Sequence, residues 1–235
     1  MASRSETSRE AAEAQAADAI VRFYLEPRDG GRNLYEIWEE GEAYRDSITP
    51  AAYCTPYRQW IGSFIESQLQ PGSSRRVLSL GCGNAFVERD LVEKGCDVLG
   101  LDLSEAAVEL AREKGVPAIV ADVRTWEPGS PWDVVYADGL FGHLYSPADG
   151  LRRWLARVRG WLGDGGVLVV SSDTPPDRYA EEAPGVPGFY WLSAECVVDE
   201  LEAAGYAIAG TETFSYLRPL SGSRTRSIVT GRPAA

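Results

Sequence analysis

Apolar residues follow helical spacing in the first third of the chain and form short runs after it. Residues 11–25, 34–45 and 50–69 have apolar positions at the spacing of amphipathic helices. Thr49 and Pro50 are typical of a helix start, because proline fits the first turn, where its missing N–H costs no hydrogen bond. Residues 1–15 are polar and alanine-rich, which predicts a frayed terminus.

From residue 75 onwards, short apolar runs alternate with segments of helical spacing. Seven runs predict strands, at 77–80, 97–101, 118–121, 132–137, 167–171, 207–216 and 225–231. Four segments between them predict helices, at 85–94, 104–114, 151–162 and 193–204. This alternation is typical of a parallel sheet with helices on both faces. The predicted fold is therefore a doubly wound, seven-stranded α/β sheet at 71–235, with a helical N-terminal cap at 1–70.

Charge narrows the range of partners. The formal net charge is −12 and the pI is about 4.6, so the surface repels nucleic acid and anionic membranes. No run of about 18 apolar residues predicts a membrane span, and the N-terminus lacks the apolar core of a signal peptide. We therefore expect a cytoplasmic protein, either a monomer or a homodimer, that acts on a small molecule, with a cationic one suiting its charge.

Four scattered cysteines and a single histidine argue against a metal site. Cys54, Cys82, Cys96 and Cys196 form no CxxC pair, and His143 stands alone. The expectation is four reduced thiols and no bound metal.

Two closely spaced glycines follow the first predicted strand. The segment VLSLGCGNA spans residues 77–85, and glycines there allow a tight turn and the close approach of a ligand to the main chain. Asp102 ends the second strand 19 residues after Gly83, an offset at which an acid accepts hydrogen bonds from ribose hydroxyls. Asp122 and Asp138 follow the third and fourth strands, so all three acids are predicted at the ligand-binding edge of the sheet. Helix capping or solvated loop ends are the alternative.

In combination, these motifs resemble those of the class I S-adenosylmethionine-dependent methyltransferases, from about residue 75 to residue 232. VLSLGCGNA is similar to the family's first motif, and WDVVYADGLFGHL to the motif beside the transferred methyl group. The resemblance implies S-adenosyl-L-methionine as cofactor, bound by Gly81, Cys82, Gly83, Asp102, Leu103, Asp122, Val123 and Ala137. The chain departs from the family pattern at Ser79, where an acid is usual and its loss weakens a contact to the methionine ammonium group. It departs again at Ala85, where a third glycine is usual.

A closer resemblance links ADGLFGHLYSP to small-molecule N-methyltransferases of the antibiotic amino-sugar and glycine/sarcosine types. It implies that the helix at 34–45 closes over the cofactor through Tyr35, Trp38, Tyr44 and Arg45. Arg45 is the candidate partner of the cofactor carboxylate.

Several residues are candidates for the acceptor end. His143 is either a general base or an orienting residue, and Asp138 either holds a cationic amine or caps a helix. Glu39 and Glu42, on one stripe with Trp38, either bind a substrate cation or form a solvated face.

The proline-rich segment 172–191 is long enough to be a lid, and Tyr190 is its candidate contact to substrate. An ordered surface loop without function is the alternative.

The predicted activity is methyl transfer to a nitrogen, amine or guanidine, of a small polar metabolite in bacterial specialised-metabolite biosynthesis. Alternatives are methylation of a hydroxyl or carboxyl oxygen and a non-catalytic homologue that binds the cofactor. An NAD-dependent oxidoreductase is disfavoured, because GCGNA lacks the third glycine of the dinucleotide motif.

Overall fold

A seven-stranded sheet forms the centre of the molecule. A computed structural model of the chain describes residues 4–45 and 49–234. The strands are β1 (Arg76–Leu80), β2 (Asp97–Asp102), β3 (Ala118–Val120), β4 (Trp132–Asp138), β5 (Leu162–Asp173), β6 (Ala180–Glu182), β7 (Tyr190–Leu192), β8 (Tyr206–Arg218) and β9 (Gly222–Pro233). The order in the large sheet is β3-β2-β1-β4-β5-β9-β8, and β6 and β7 form a separate hairpin.

Strands β1 to β5 are parallel, whereas β9 is antiparallel to both β5 and β8. The order reverses between β1 and β4, and open α/β sheets bind ligands at such a switch point. The predicted doubly wound, seven-stranded sheet is confirmed.

Helices cover both faces of this sheet. They are α1 (Arg4–Leu25), α2 (Leu34–Glu39), α3 (Pro50–Tyr53), α4 (Thr55–Gln68), α5 (Phe86–Glu93), α6 (Glu105–Glu113), α7 (Leu140–Leu144), α8 (Arg152–Arg159) and α9 (Ala194–Ala203). Alternate residues of β1 face opposite layers, because side chains alternate along a strand. Val77 packs with the α4–α6 layer and Leu78 with the α8–α9 layer.

Helix α4 belongs to the main core although it lies within the predicted cap. Its Tyr57, Ile61 and Ile65 are fully buried in the same apolar cluster as Val77 of β1 and Val134 of β4. The proposed boundary near residue 70 therefore separates segments that share one core. Residues of α1, α2 and α3 line a cavity at the carboxyl ends of the strands.

Three helices differ from the predicted ones. Helix α1 begins at Arg4, so residues 4–15 of the segment expected to fray are helical, and residues 1–3 lie outside the described part of the chain. Helix α2 ends at Glu39, and Gly41 follows with a φ of 74°. The helix predicted at 50–69 is two helices, because Cys54 has non-helical angles and Pro56 in the first turn of α4 cannot donate to a preceding turn.

The sequence patterns did not predict two short elements, helix α7 and the β6–β7 hairpin. The hairpin lies in the segment that was predicted to be a long loop. Among the described helices none is long and apolar enough to cross a membrane. The four cysteines are free thiols. In the part of the chain that the structure describes, no group of three or more His, Cys, Asp and Glu side chains is placed to hold a metal ion.

Candidate active site

A cavity of about 160 Å³ lies at the carboxyl ends of β1, β2 and β4. Eleven sequence-predicted residues lie on its wall, namely Tyr35, Trp38, Gly81, Cys82, Gly83, Asp102, Leu103, Asp122, Val123, Asp138 and His143. The three acids expected at one edge of the sheet are therefore brought together. Arg45, Glu39, Glu42, Ala137 and Tyr190 are not part of this wall.

The glycine turn after β1 fixes the position of the Asp102 carboxylate. Gly83 has a φ of 50°, and its N–H donates to Oδ2 of Asp102 over 2.9 Å. The N–H of Ser104 donates to Oδ1 over the same distance. Burial raises the pKa of Asp102, although these backbone hydrogen bonds oppose the shift. Both oxygens keep a free lone pair, so the carboxylate is a rigid acceptor for hydroxyl groups.

Asp122 is held differently. The Arg124 guanidinium donates to both carboxylate oxygens, from Nε to Oδ1 over 2.9 Å and from Nη2 to Oδ2 over 2.6 Å. Burial by itself would raise the pKa of Asp122, but the bonds from Arg124 outweigh it and the pKa is lowered. Asp122 is therefore ionised and already paired.

Helix α2 is tied to the glycine turn by Asn84 and Glu39. The Asn84 amide donates to the carbonyl of Tyr35 over 3.0 Å and also to the Glu39 carboxylate. Glu39 forms an ion pair with Lys114 as well. The structure therefore places Glu39 in an internal contact, away from the cavity wall where a substrate cation was expected.

Two further predicted residues of this segment lie on the surface. Glu42 pairs with Arg32 over 3.1 Å, and its side chain is 55% exposed. Arg45 is exposed, with its guanidinium 5.3 Å from the ring of Tyr44. Because α2 ends before both of them, the predicted helical stripe does not exist there, and neither residue reaches the cavity.

Tyr190 and Ala137 are also off the wall. Tyr190 packs on Tyr145 with ring centroids 5.3 Å apart, and its neighbour Phe189 lines the cavity instead. Ala137 is fully buried in the sheet directly before Asp138. Adjacent side chains of an extended segment point to opposite sides. Tyr190 therefore points away from the side of Phe189, and Ala137 away from the side of Asp138, so neither reaches the cavity wall.

Helix α1 covers the cavity, a role that the sequence predicted for the helix at 34–45 or for the segment 172–191. The Tyr24 hydroxyl lies 2.9 Å from Nε2 of His143, and its ring stacks on Tyr35 with centroids 5.7 Å apart. Ile20 and Val21 also line the cavity. The apolar end of the helix predicted at 11–25 was the only signal for this contact.

His143 is half-buried beneath Tyr24. Burial lowers its pKa to about 4, so the imidazole is neutral at physiological pH. The Phe189 ring lies 4.6 Å away, and Nδ1 has no hydrogen-bond partner among the described residues. One ring nitrogen is therefore anchored and the other is available to a ligand.

Asp138 belongs to a buried ion network that the sequence patterns did not reveal. Arg226 of β9 pairs with Oδ1 of Asp138 and, over 2.9 Å, with Asp173, which also pairs with Arg218. Burial alone would lower the pKa of Arg226, but the two carboxylates raise it well above its ordinary value. Oδ2 of Asp138 has no partner within the described part of the chain. Oδ1 of Asp138 is therefore bound within the fold, whereas Oδ2 is free to bind a ligand.

Glu88 of α5 is a second acid that was missed. Its carboxyl group lies on the cavity wall and accepts a hydrogen bond from the Ser79 hydroxyl at the end of β1. Burial raises the pKa of Glu88 to about 7. The carboxyl group of Glu88, on the helix, therefore contacts Ser79, the strand position at which the family pattern has an acid. Helical spacing alone marks Glu88 as an ordinary polar residue.

Comparison with known proteins gives a family and a fold. A family model described as a methyltransferase domain matches residues 10–211. A tabtoxin biosynthesis enzyme from Pseudomonas amygdali pv. tabaci is 41% identical over 205 residues, covering 85% of this chain and 81% of that protein. Trans-aconitate 2-methyltransferase from Mycolicibacterium gilvum is 37% identical over 171 residues, 67% of this chain and 65% of that protein.

A solved structure shares the fold at low sequence identity. It is the 1,6-didemethyltoxoflavin-N1-methyltransferase of Burkholderia thailandensis with 1,6-didemethyltoxoflavin and S-adenosylhomocysteine bound. The TM-score is 0.67 and the identity 17%, and the match covers 100% of this chain and 92% of that one.

Proposed function

Since this chain belongs to the methyltransferase domain family, we propose that it transfers a methyl group from S-adenosylmethionine to a nitrogen, amine or guanidine, of a small polar metabolite. Family membership confirms the predicted resemblance and the predicted class of enzyme. The similar protein from tabtoxin biosynthesis supports a role in making a bacterial specialised metabolite.

The cavity wall fits the implied cofactor. Asp102 is a fixed acceptor for ribose hydroxyls, and a Cβ added to Gly83 would meet nothing within 4 Å, so a ligand has room against the turn. When bound, S-adenosylmethionine supplies a methyl group activated by a positively charged sulfur. The wall residues that would hold it are Gly81, Cys82, Gly83, Asp102, Leu103, Asp122 and Val123.

The charge of the wall supports a nitrogen acceptor. Four acids line the cavity, Glu88, Asp102, Asp122 and Asp138, and the only Lys or Arg among the described wall residues is Arg124, which is paired with Asp122. A buried substrate carboxylate would need a cation to offset its charge, whereas an amine suits acidic surroundings. The observation that carries the proposal is the free Oδ2 of Asp138, buried at the end of β4.

Asp138, His143 and a group of aromatic residues each have a different role around the methyl acceptor. Oδ2 of Asp138 accepts an N–H of the acceptor, and the free Nδ1 of His143 makes a second hydrogen bond that aligns the nitrogen lone pair. With a pKa of about 4, His143 holds a proton poorly at neutral pH, so an orienting role is favoured over that of a base. Tyr24, Trp38 and Phe189 exclude water.

Carboxyl methylation is the second candidate, favoured by the similarity to a trans-aconitate 2-methyltransferase.

Nitrogen and carboxyl methylation are both tested by supplying S-adenosylmethionine with a labelled methyl group and a panel of acceptors that differ only in bearing an amino, guanidino, hydroxyl or carboxyl group. The products are then treated with mild alkali, which hydrolyses a methyl ester to methanol and leaves an N-methyl group intact.

We expect alkali-stable label on amines or guanidines. Alkali-labile label on carboxylic acids alone would replace the nitrogen proposal with the second candidate. No label on any acceptor, with S-adenosylhomocysteine still bound, would favour the non-catalytic alternative.

His143→Ala separates the two roles of the histidine. An orienting role predicts a loss of turnover smaller than the about 10²–10⁴-fold typical of general acid–base groups, with the pH profile of the wild type. A base predicts a larger loss that recovers in part at high pH. Glu42→Gln is the matched control, because Glu42 is exposed and away from the cavity.

A further inference from the structure

The carboxyl group of Glu88 is buried without a cation. The residue is 4% exposed, and the hydrogen bond that fixes its carboxyl group comes from the uncharged hydroxyl of Ser79. In the described part of the chain, no Lys or Arg forms an ion pair with it. A carboxylate in such surroundings is costly to ionise unless a positive charge comes from elsewhere.

The other acids near the cavity are compensated within the protein. Arg226 pairs with Asp138 and Asp173, and Asp102 accepts two backbone N–H bonds. Glu88 alone among these four lacks both a cation and a pair of backbone donors to its carboxyl group. Its place on the cavity wall means that a ligand can supply the missing charge.

We propose that Glu88 is the binding site for an alkylammonium group of a ligand in the cavity, and that this binding ionises Glu88 and releases its proton to solvent. The inference rests on the proposed function, which brings two such groups to the cavity. One is the α-ammonium group of the cofactor, and the other is the amine of the acceptor.

The surroundings of Glu88 support this exchange of a proton for a cation. Asp138 and Tyr136 approach from β4, Cys82 from the turn after β1, and Asp90 from α5 itself. From α4, Arg58 approaches Asp90 over 3.9 Å. Burial raises the pKa of Glu88 to about 7, so the Glu88 carboxyl group is protonated in about half of the protein molecules at pH 7. A cation bound beside it lowers that pKa.

Calorimetry tests the proposal without relying on turnover. The full chain is titrated at pH 7 with S-adenosylhomocysteine, which has the ammonium group, and with 5′-methylthioadenosine, which lacks the amino-acid end. Two buffers of different ionisation enthalpy give the number of protons released. We expect about half a proton with the first ligand and none with the second.

Glu88→Gln keeps the shape of the side chain and cannot ionise. It should abolish proton release and weaken S-adenosylhomocysteine binding by about ten- to hundredfold, with 5′-methylthioadenosine unaffected. Ser79→Ala removes the hydrogen bond that lowers the pKa of Glu88, so proton release should rise towards one. Glu93→Gln is the control, because Glu93 lies on the same helix with a side chain 69% exposed. A melting temperature for each variant shows that it is folded.

A second arm identifies the source of the cation. Propylamine is titrated into protein saturated with 5′-methylthioadenosine. Proton release here, lost in Glu88→Gln while S-adenosylhomocysteine binding is unchanged, assigns the site to the acceptor amine. Unchanged binding and proton release in Glu88→Gln with both ligands would overturn the ammonium site alone. A wild-type protein that binds neither nucleoside would overturn the proposed function as well.

Discussion

The acids on the two sides of the cavity differ in whether a cation of the protein pairs with them. On the β5–β9 side, Asp138 and Asp173 share the guanidinium of Arg226. On the β1–α5 side, Glu88 and Asp102 have only uncharged donors. Charges that are paired internally hold strands together, whereas the acids without a cation are the ones that we propose bind a ligand. Under this proposal, the same kind of residue stabilises the fold on one side and binds a ligand on the other.

The strongest test of the paired side is Arg226→Met. It leaves Asp138 without a cation and Asp173 with Arg218 alone, so the free energy of unfolding should fall by about 3–5 kcal/mol. Urea denaturation at pH 7 measures it. Arg32→Met is the control, because Arg32 pairs with Glu42 on the surface and should change stability by no more than about 1 kcal/mol. Similar losses in the two variants would remove the contrast.

The unpaired side predicts the opposite sign for Glu88→Gln in the absence of ligand. The pKa of Glu88 is raised from 4.5 to about 7 on folding, so the cost of ionising it grows as pH rises through this range and is complete above pH 7. The variant should be more stable than wild type by up to about 3 kcal/mol at pH 8, with no difference near pH 4. Urea denaturation across this pH range checks the sign, and a difference independent of pH would contradict it.

Asp102→Ala measures the binding side directly. Losing hydrogen bonds from ribose hydroxyls to a charged acceptor should cost roughly 1.5–3 kcal/mol, about ten- to hundredfold in affinity for S-adenosylhomocysteine. Calorimetry measures the affinity. Asp97→Ala, at the exposed start of the same strand, should bind as wild type. Equal affinity of a folded Asp102→Ala protein would remove this residue from the cofactor site.

The smallest effect concerns the turn that carries the binding side. Ala85 has a φ of 54°, a left-handed conformation that disfavours any side chain with a Cβ. Ala85→Gly should raise the free energy of unfolding by about 0.5–1 kcal/mol, since relief of strain exceeds the added chain entropy. Ala106→Gly inside α6 should instead lower it by roughly 1 kcal/mol. Losses in both variants would show that the turn stores no strain.

The sequence by itself determined the alternation of strands and helices and the end of the cavity beside the glycine turn. Gly83, Asp102 and Asp122 lie at the ends of elements whose patterns are local, and parallel strands bring their carboxyl ends to one edge. The shortened α2 shows the limit of such patterns. Trp38 stays on the wall, while Glu42 and Arg45 lie beyond the end of that helix.

Only the tertiary structure decided how each charge is used. Arg226 meets Asp138 across 88 residues of chain, and Tyr24 meets His143 across 119. Glu88 looks like a solvated helix residue until α5 packs it against Ser79. The physical reason is that secondary structure follows from neighbours within a few residues. The cost of a buried charge instead depends on every group the fold brings around it.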